Sequence, residues 1–219
     1  MQSKRLVEVG ILGIVAIGLY IGATVLGGIL DPEYSQVRNA ISELTGSQAP
    51  NSAILAPIFI GYNLLLAGFA YALMRAAGNE RLFRIAFWMF VVGAGSGIGQ
   101  VTLFRMDPIR GMATTPGTVH IALAGLSSLL TLATAVLYGF AFRREVLYRR
   151  LSTYSFVTAA LLVVSAPAAV ISIGTDVMGL FERLTIGVFL AWVVVVSIHS
   201  LRAVRVVASR RSRIASAPA

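Results

Sequence analysis

Apolar residues in this chain fall into six long runs separated by short polar stretches. A transmembrane helix needs about 20 consecutive, predominantly apolar residues. Six segments reach that length: about Val7–Leu30, Ser52–Ala76, Ile85–Phe104, Thr118–Phe142, Tyr154–Gly174 and Leu184–Val204. No stretch shows the ten-residue alternation of an outer-membrane barrel strand. The expected fold class is therefore all-α, a polytopic transmembrane bundle of six helices. It forms one domain over residues 1–208, followed by a basic, flexible cytoplasmic tail at 209–219. Lys4 and Arg5 ahead of the first run imitate a signal peptide. That run has 24 residues, however, beyond the roughly 7–15 of a signal h-region, and reads as a retained span. No second domain, low-complexity linker or convincing internal repeat interrupts the pattern.

Composition agrees: 57% of residues are hydrophobic and 12% charged, where soluble domains carry about 25% charged. Lys and Arg number 18 against nine Asp and Glu, for a net charge of +9. A basic balance can mark a nucleic-acid binder. Here the cations cap apolar runs, and 14 of the 18 lie on one side. They are Lys4 and Arg5; Arg75, Arg81 and Arg84; Arg143, Arg144, Arg149 and Arg150; and Arg202, Arg205, Arg210, Arg211 and Arg213. The opposite side holds Arg38, Arg105, Arg110 and Arg183 with six of the nine acids, namely Asp31, Glu33, Glu43, Asp107, Asp176 and Glu182. Positive loops stay cytoplasmic, which puts both termini inside and the first, third and fifth connections outside. The partners implied are membrane lipids, not nucleic acid.

The connections Gly78–Arg84 and Arg143–Thr153 are short and basic. The first outer loop carries more pattern. Asp31 suits a helix cap, Pro32 a first turn and Gly46 a terminator, with Tyr34, Val37, Ile41 and Leu44 at helical spacing. These features predict a short amphipathic helix in the outer interface or folded over the bundle mouth. In span 3, Gly93 to Gly99 lacks the register and preceding strand of a nucleotide loop. Gly93/Gly97, Gly95/Gly99 and, in span 1, Gly18/Gly22 instead form small-residue pairs that admit a neighbouring helix, or another membrane subunit. No charged residue falls mid-span, which disfavours ion-coupled transport. Asn63 and Gln100 are expected to bond to adjacent helices, and Pro167 to kink span 5.

The candidate chemistry gathers at the outer ends of the spans. Loop 1 contributes Arg38, Asn39, Ser42 and Glu43; the end of span 3 contributes Arg105 and Asp107; His120 lies near the start of span 4, and Glu182 and Arg183 precede span 6. Asp107-Pro108 reads as a turn and Thr115-Pro116 as the cap and first turn of span 4. Three arrangements fit these residue types. Ser42, His120 and an acid such as Asp107 could form a nucleophile, base and orienting group. Arg38, Arg105 and Arg183 could clamp a phosphate or carboxylate. Ion pairs and caps could simply lock the spans together. No cofactor or metal is implied. The chain has no cysteine, and its two histidines, His120 and His199, fall at opposite ends of their spans, too far apart to share a metal.

Ala40-Ile41-Ser42-Glu43-Leu44, Phe104-Arg105-Met106-Asp107, His120 and Glu182-Arg183, in this order on six spans, resemble the domain of unknown function 998 family. These are six-span prokaryotic membrane proteins, and the resemblance covers nearly the whole chain, departing where a proline is expected at Arg105. Ile41-Ser42-Glu43 is also distantly similar to an element of the six-span Frag1/DRAM/Sfk1 proteins. The resemblance implies a prokaryotic inner-membrane protein in which Ser42, Asp107, His120, Glu182 and Arg183 matter, and no reaction. The functional expectation is an outward-facing site for an amphipathic, lipid-like ligand. An accessory subunit of a larger membrane complex and a metal-independent lipid hydrolase or transferase are the alternatives.

Overall fold

A computed structural model describes residues 2–78, 80–108 and 111–215, with side chains through residue 207. Arg110, residues 216–219 of the expected tail, and the side chains of Arg210, Arg211 and Arg213 lie outside the described residues. The chain forms α1 (Gln2–Leu30), α2 (Ser52–Ala76), α3 (Arg81–Thr102), α4 (Thr115–Arg144), α5 (Leu151–Ile171) and α6 (Met178–Ala215). All six are long and apolar enough to cross a membrane, and no strand occurs among the described residues. Only α2 has the same bounds as its apolar run. Helices α3 and α4 start earlier because caps, not hydropathy, set a helix start. Glu80 accepts the Leu82 amide at 2.9 Å, and Thr114, one residue ahead of the expected cap, accepts Gly117 N–H at 3.2 Å.

Each helix packs on its neighbours in the chain, and α6 closes the circuit against α1. At one end, the base, the start of α1 meets the end of α2 through Arg5 Nη1 and Arg75 O at 2.8 Å. Arg144 pairs there with Glu80 at 3.2 Å, and His199 Nε2 bonds Leu147 O at 2.7 Å. The opposite end, the mouth, carries the connections after α1, α3 and α5.

The core runs the length of the bundle, from Ile41, Leu44 and Leu55 near the mouth to Leu6 and Tyr148 near the base, and its ring cluster centres on Trp192 of α6. Its ring meets Phe69 of α2, Phe90 of α3, and Tyr138 and Phe142 of α4 at centroid distances of 5.1–6.4 Å. Its indole N–H reaches Ser155 of α5 at 2.8 Å. One side chain therefore ties five helices together, each aromatic pair adding about 0.5–1.5 kcal/mol beyond its burial. Helices α1 and α6 meet closely nearby, where a Cβ at Gly13 would lie 2.0 Å from Ser197 Oγ and one at Gly10 would lie 2.3 Å from Leu201.

Within the chain, the glycine expectation needs correcting in part. A Cβ at Gly18, Gly22, Gly93 or Gly95 would meet nothing within 4 Å. Of the paired glycines, Gly97 receives the Asn63 amide, and Gly99 makes ordinary contact with Leu123. Spacing marks a smooth helix face without saying which way that face turns. The amides also differ: Gln100 reaches Ser127 of α4 at 3.3 Å, whereas Asn63 bonds Phe59 O of its own helix at 2.8 Å.

The first loop is likewise not helical from Asp31 to Gly46. Asp31 turns back onto Glu33 N at 3.1 Å, and Asn39 Oδ1 takes the Ser35 amide at 2.9 Å. Such local side-chain bonds compete with a helix ladder. Only Ile41–Thr45 winds, as a five-residue 3-10 helix ended by Gly46. Ile41 and Leu44 are buried, Leu44 seating on Gly27 of α1. The loop thus folds over the mouth.

Candidate functional site

The first turns of α6 hold the loop in place. Arg183 Nη1 donates to Asn39 O and to Gly179 O, each at 2.9 Å, and Nη2 donates to the Tyr34 hydroxyl. The guanidinium lies 5.5 Å from the Tyr34 ring centroid, and Tyr34 in turn donates to Ala40 O at 2.9 Å. Burial pushes the Tyr34 phenol up to about 12, against the pull of Arg183, so it remains a hydrogen-bond donor. Glu182 Oε2 accepts the Ile41 amide at 2.7 Å, and Leu180 N–H donates to Val37 O at 2.9 Å. Glu43 takes the Ala40 amide at 2.6 Å and Asn39 Nδ2 at 3.0 Å. Gly179 admits this approach, since a Cβ there would lie 2.2 Å from Asn39 O.

Ion pairing does not hold the mouth together. The one salt bridge among the described residues, Arg144–Glu80, lies at the base. Arg183 and Glu182 bond instead to the Asn39 carbonyl, the Ile41 amide and the Tyr34 phenol of loop 1, and Arg183 also to Gly179 O of its own helix. A charge leaving water requires such partners, and the loop backbone supplies them.

A second group joins α3 to α4. His120, 4% exposed, faces Phe104 O through Nδ1 at 2.8 Å. A carbonyl only accepts, so Nδ1 carries the proton. Asp107 accepts Thr114 N–H at 2.7 Å and Thr114 Oγ1–H at 2.8 Å. It sits against Gly117, at a helix N-terminus whose dipole favours an anion. Met106 links the two groups: its sulfur accepts Ser42 Oγ–H at 2.9 Å, and its carbonyl accepts Ser47 N–H at 2.9 Å.

The sequence-derived candidates therefore divide. Ser42, Glu43, Glu182 and Arg183 belong to the loop latch; Asp107 and His120 belong to the α3–α4 joint. Ser42, Asp107 and His120 make no hydrogen bond to one another, so the Ser42 hydroxyl faces no base. Arg38 is exposed, and Arg105 has no hydrogen-bond or ion-pair partner among the described residues. Only Arg183 of the three arginines is tied to the loop. Tyr34 was the residue missed as a polar contributor; its place on the apolar stripe gave only a packing signal.

Two cavities flank the latch. One is a groove of about 450 Å³ between the mouth halves of α1 and α6. Ile17, Leu190 and Val194 line it beside exposed Ile21, Gly187 and Ala191, and Thr24, Gln36 and Arg183 stand at its mouth end. The other, of about 280 Å³, is lined by Asp31, Glu33, Glu43 and Asp107 with Tyr34, Asn39, Gln48 and Asn51. Among the described residues, the groove is bordered by Arg183 and by no carboxylate, and the second cavity by four carboxylates and no arginine.

Fold and site together define a multi-pass integral membrane protein whose first connection is latched across the bundle mouth. Residues 14–199 match the family described as Protein of unknown function (DUF998), and the chain belongs to it. No curated protein and no solved structure matches the chain.

Proposed function

We propose that the protein holds an amphipathic, lipid-like ligand in the α1–α6 groove. The alkyl part lies along Ile17, Ile21, Leu190 and Val194, and the head reaches Arg183. The observation that carries this reading is the continuity of an apolar, membrane-exposed groove with a guanidinium already held by Asn39 and Gly179 carbonyls. Its volume of about 450 Å³ falls within the roughly 300–1,000 Å³ of small-ligand sites. Ordering the cation in advance lowers the cost of capturing a head group. In this reading the mouth faces outward and both termini lie in the cytoplasm of a prokaryotic inner membrane. The excess of cations at the base supports that orientation.

Extraction directly into native-lipid discs, followed by mass spectrometry of bound molecules, tests the proposal. Gly187→Leu fills the groove from a position with open space around its Cβ. The variant is expected to keep its folded yield and lose the co-purifying lipid. Unchanged lipid content in that variant overturns the groove reading. Stoichiometric protein partners without an enriched lipid would point to an accessory subunit instead.

A further inference from the structure

We infer that the groove selects a net-anionic phospholipid head over a zwitterionic one, an inference that rests on the groove reading above. Charge is segregated across loop 1. Arg183 borders the groove without any carboxylate, while Asp31, Glu33, Glu43 and Asp107 border the cavity beyond the loop. Glu182, next to Arg183 in the chain, is bonded to the Ile41 amide and does not line the groove. A zwitterionic head would bring a cation that finds no carboxylate among the described residues lining the groove.

Donor count points the same way. Arg183 uses three of the five N–H groups of a guanidinium, on Asn39 O, Gly179 O and Tyr34 Oη. The Nε–H and one Nη2–H have no partner among the described residues. A planar guanidinium edge matches two phosphate oxygens. Gln36 adds an amide at the same end, anchored by its Nε2–H to Thr24 O at 3.1 Å, with its second N–H unused.

The test uses the full chain in discs of equal phosphatidylglycerol and phosphatidylcholine, reading lipids retained on the protein by native mass spectrometry. Wild type is expected to retain phosphatidylglycerol about tenfold over phosphatidylcholine, the worth of one charge-assisted hydrogen bond. Arg183→Gln should abolish the preference, and Gly187→Leu should lower retention of both lipids. Equal retention by wild type, with Gly187→Leu still lowering both, overturns the anion selectivity and leaves the groove standing. This comparison needs no folded Arg183 variant. A preference that survives both substitutions belongs to other cations, Arg38 and Arg105 at the mouth or the basic residues of the base, and also overturns the inference. Retention unaffected by Gly187→Leu removes the groove reading, and this inference with it.

Discussion

At the base of the α1–α6 seam a methyl group on Gly13 would lie 2.0 Å from the Ser197 hydroxyl, whereas at the mouth the same helices leave a groove of about 450 Å³. Packing decides the lower half. Gly10 and Gly13 of α1 receive the Leu201 and Ser197 side chains of α6 beside the ring cluster around Trp192, and a side chain at either glycine would collide with them. Polar bonding decides the upper half, where Ile41, Asn39 and Tyr34 of loop 1 bridge to Glu182 and Arg183. A membrane protein gains little from hydrophobic contact between helices, because lipid tails are as apolar as leucine. Close fit and hydrogen bonds must hold the bundle, and along the α1–α6 seam the first dominates towards the base and the second at the mouth.

Substitutions separate the two regimes. Gly13→Leu should have the largest effect, about 3 kcal/mol or more, read as a fall in thermal stability in detergent. Tolerance there would show that the seam relaxes and the contrast is weak. Glu182→Ala leaves the Ile41 amide without its acceptor and should cost about 2 kcal/mol. Hydrogen exchange should then accelerate across loop 1 while the base amides stay protected; exchange spread evenly over both ends would erase the distinction.

Tyr34→Phe removes the hydroxyl that accepts from Arg183 and donates to Ala40, for about 1 kcal/mol. It also carries a pH signature. The folded phenol is raised from 10.0 to about 12, so the folded state binds the proton more tightly than the unfolded chain. Its contribution is complete below about pH 10 and is lost as pH rises through about 12. The difference between wild type and Tyr34→Phe should shrink over that interval; a constant difference would mean the phenol is not held by the latch. Gly18→Leu, at a position open to 4 Å, should stay within about 0.5 kcal/mol of wild type. A large loss there would reveal an intermolecular contact on that face.

Much of this architecture is legible along the chain because it depends on local quantities. A run of about 20 apolar residues must be a helix in lipid, since its backbone groups have no other partners. The runs therefore specify six spans, and α2 agrees residue for residue. Charge separation between the two ends is legible for the same reason, whereas which of the outer polar residues meet in space is not. Helix starts were less visible, because Glu80 and Thr114 act through single capping bonds. The short helix of loop 1 and its end at Gly46 were legible, but its start was not, because the Asp31 and Asn39 side chains bond the nearby backbone in preference to a helix.

Residue types alone determined that this protein spans the membrane six times and keeps polar groups at the mouth, because burying charge in hydrocarbon costs too much to be arranged otherwise. Only the tertiary structure decided what satisfies those groups. Glu182 and Arg183 bond to main-chain atoms 141 and 144 residues away. Almost every residue offers the same amide and carbonyl, so no residue type marks the ones that will be chosen. The opening of the α1–α6 seam into a groove follows equally from the rotation and separation of two helices, which hydropathy does not encode.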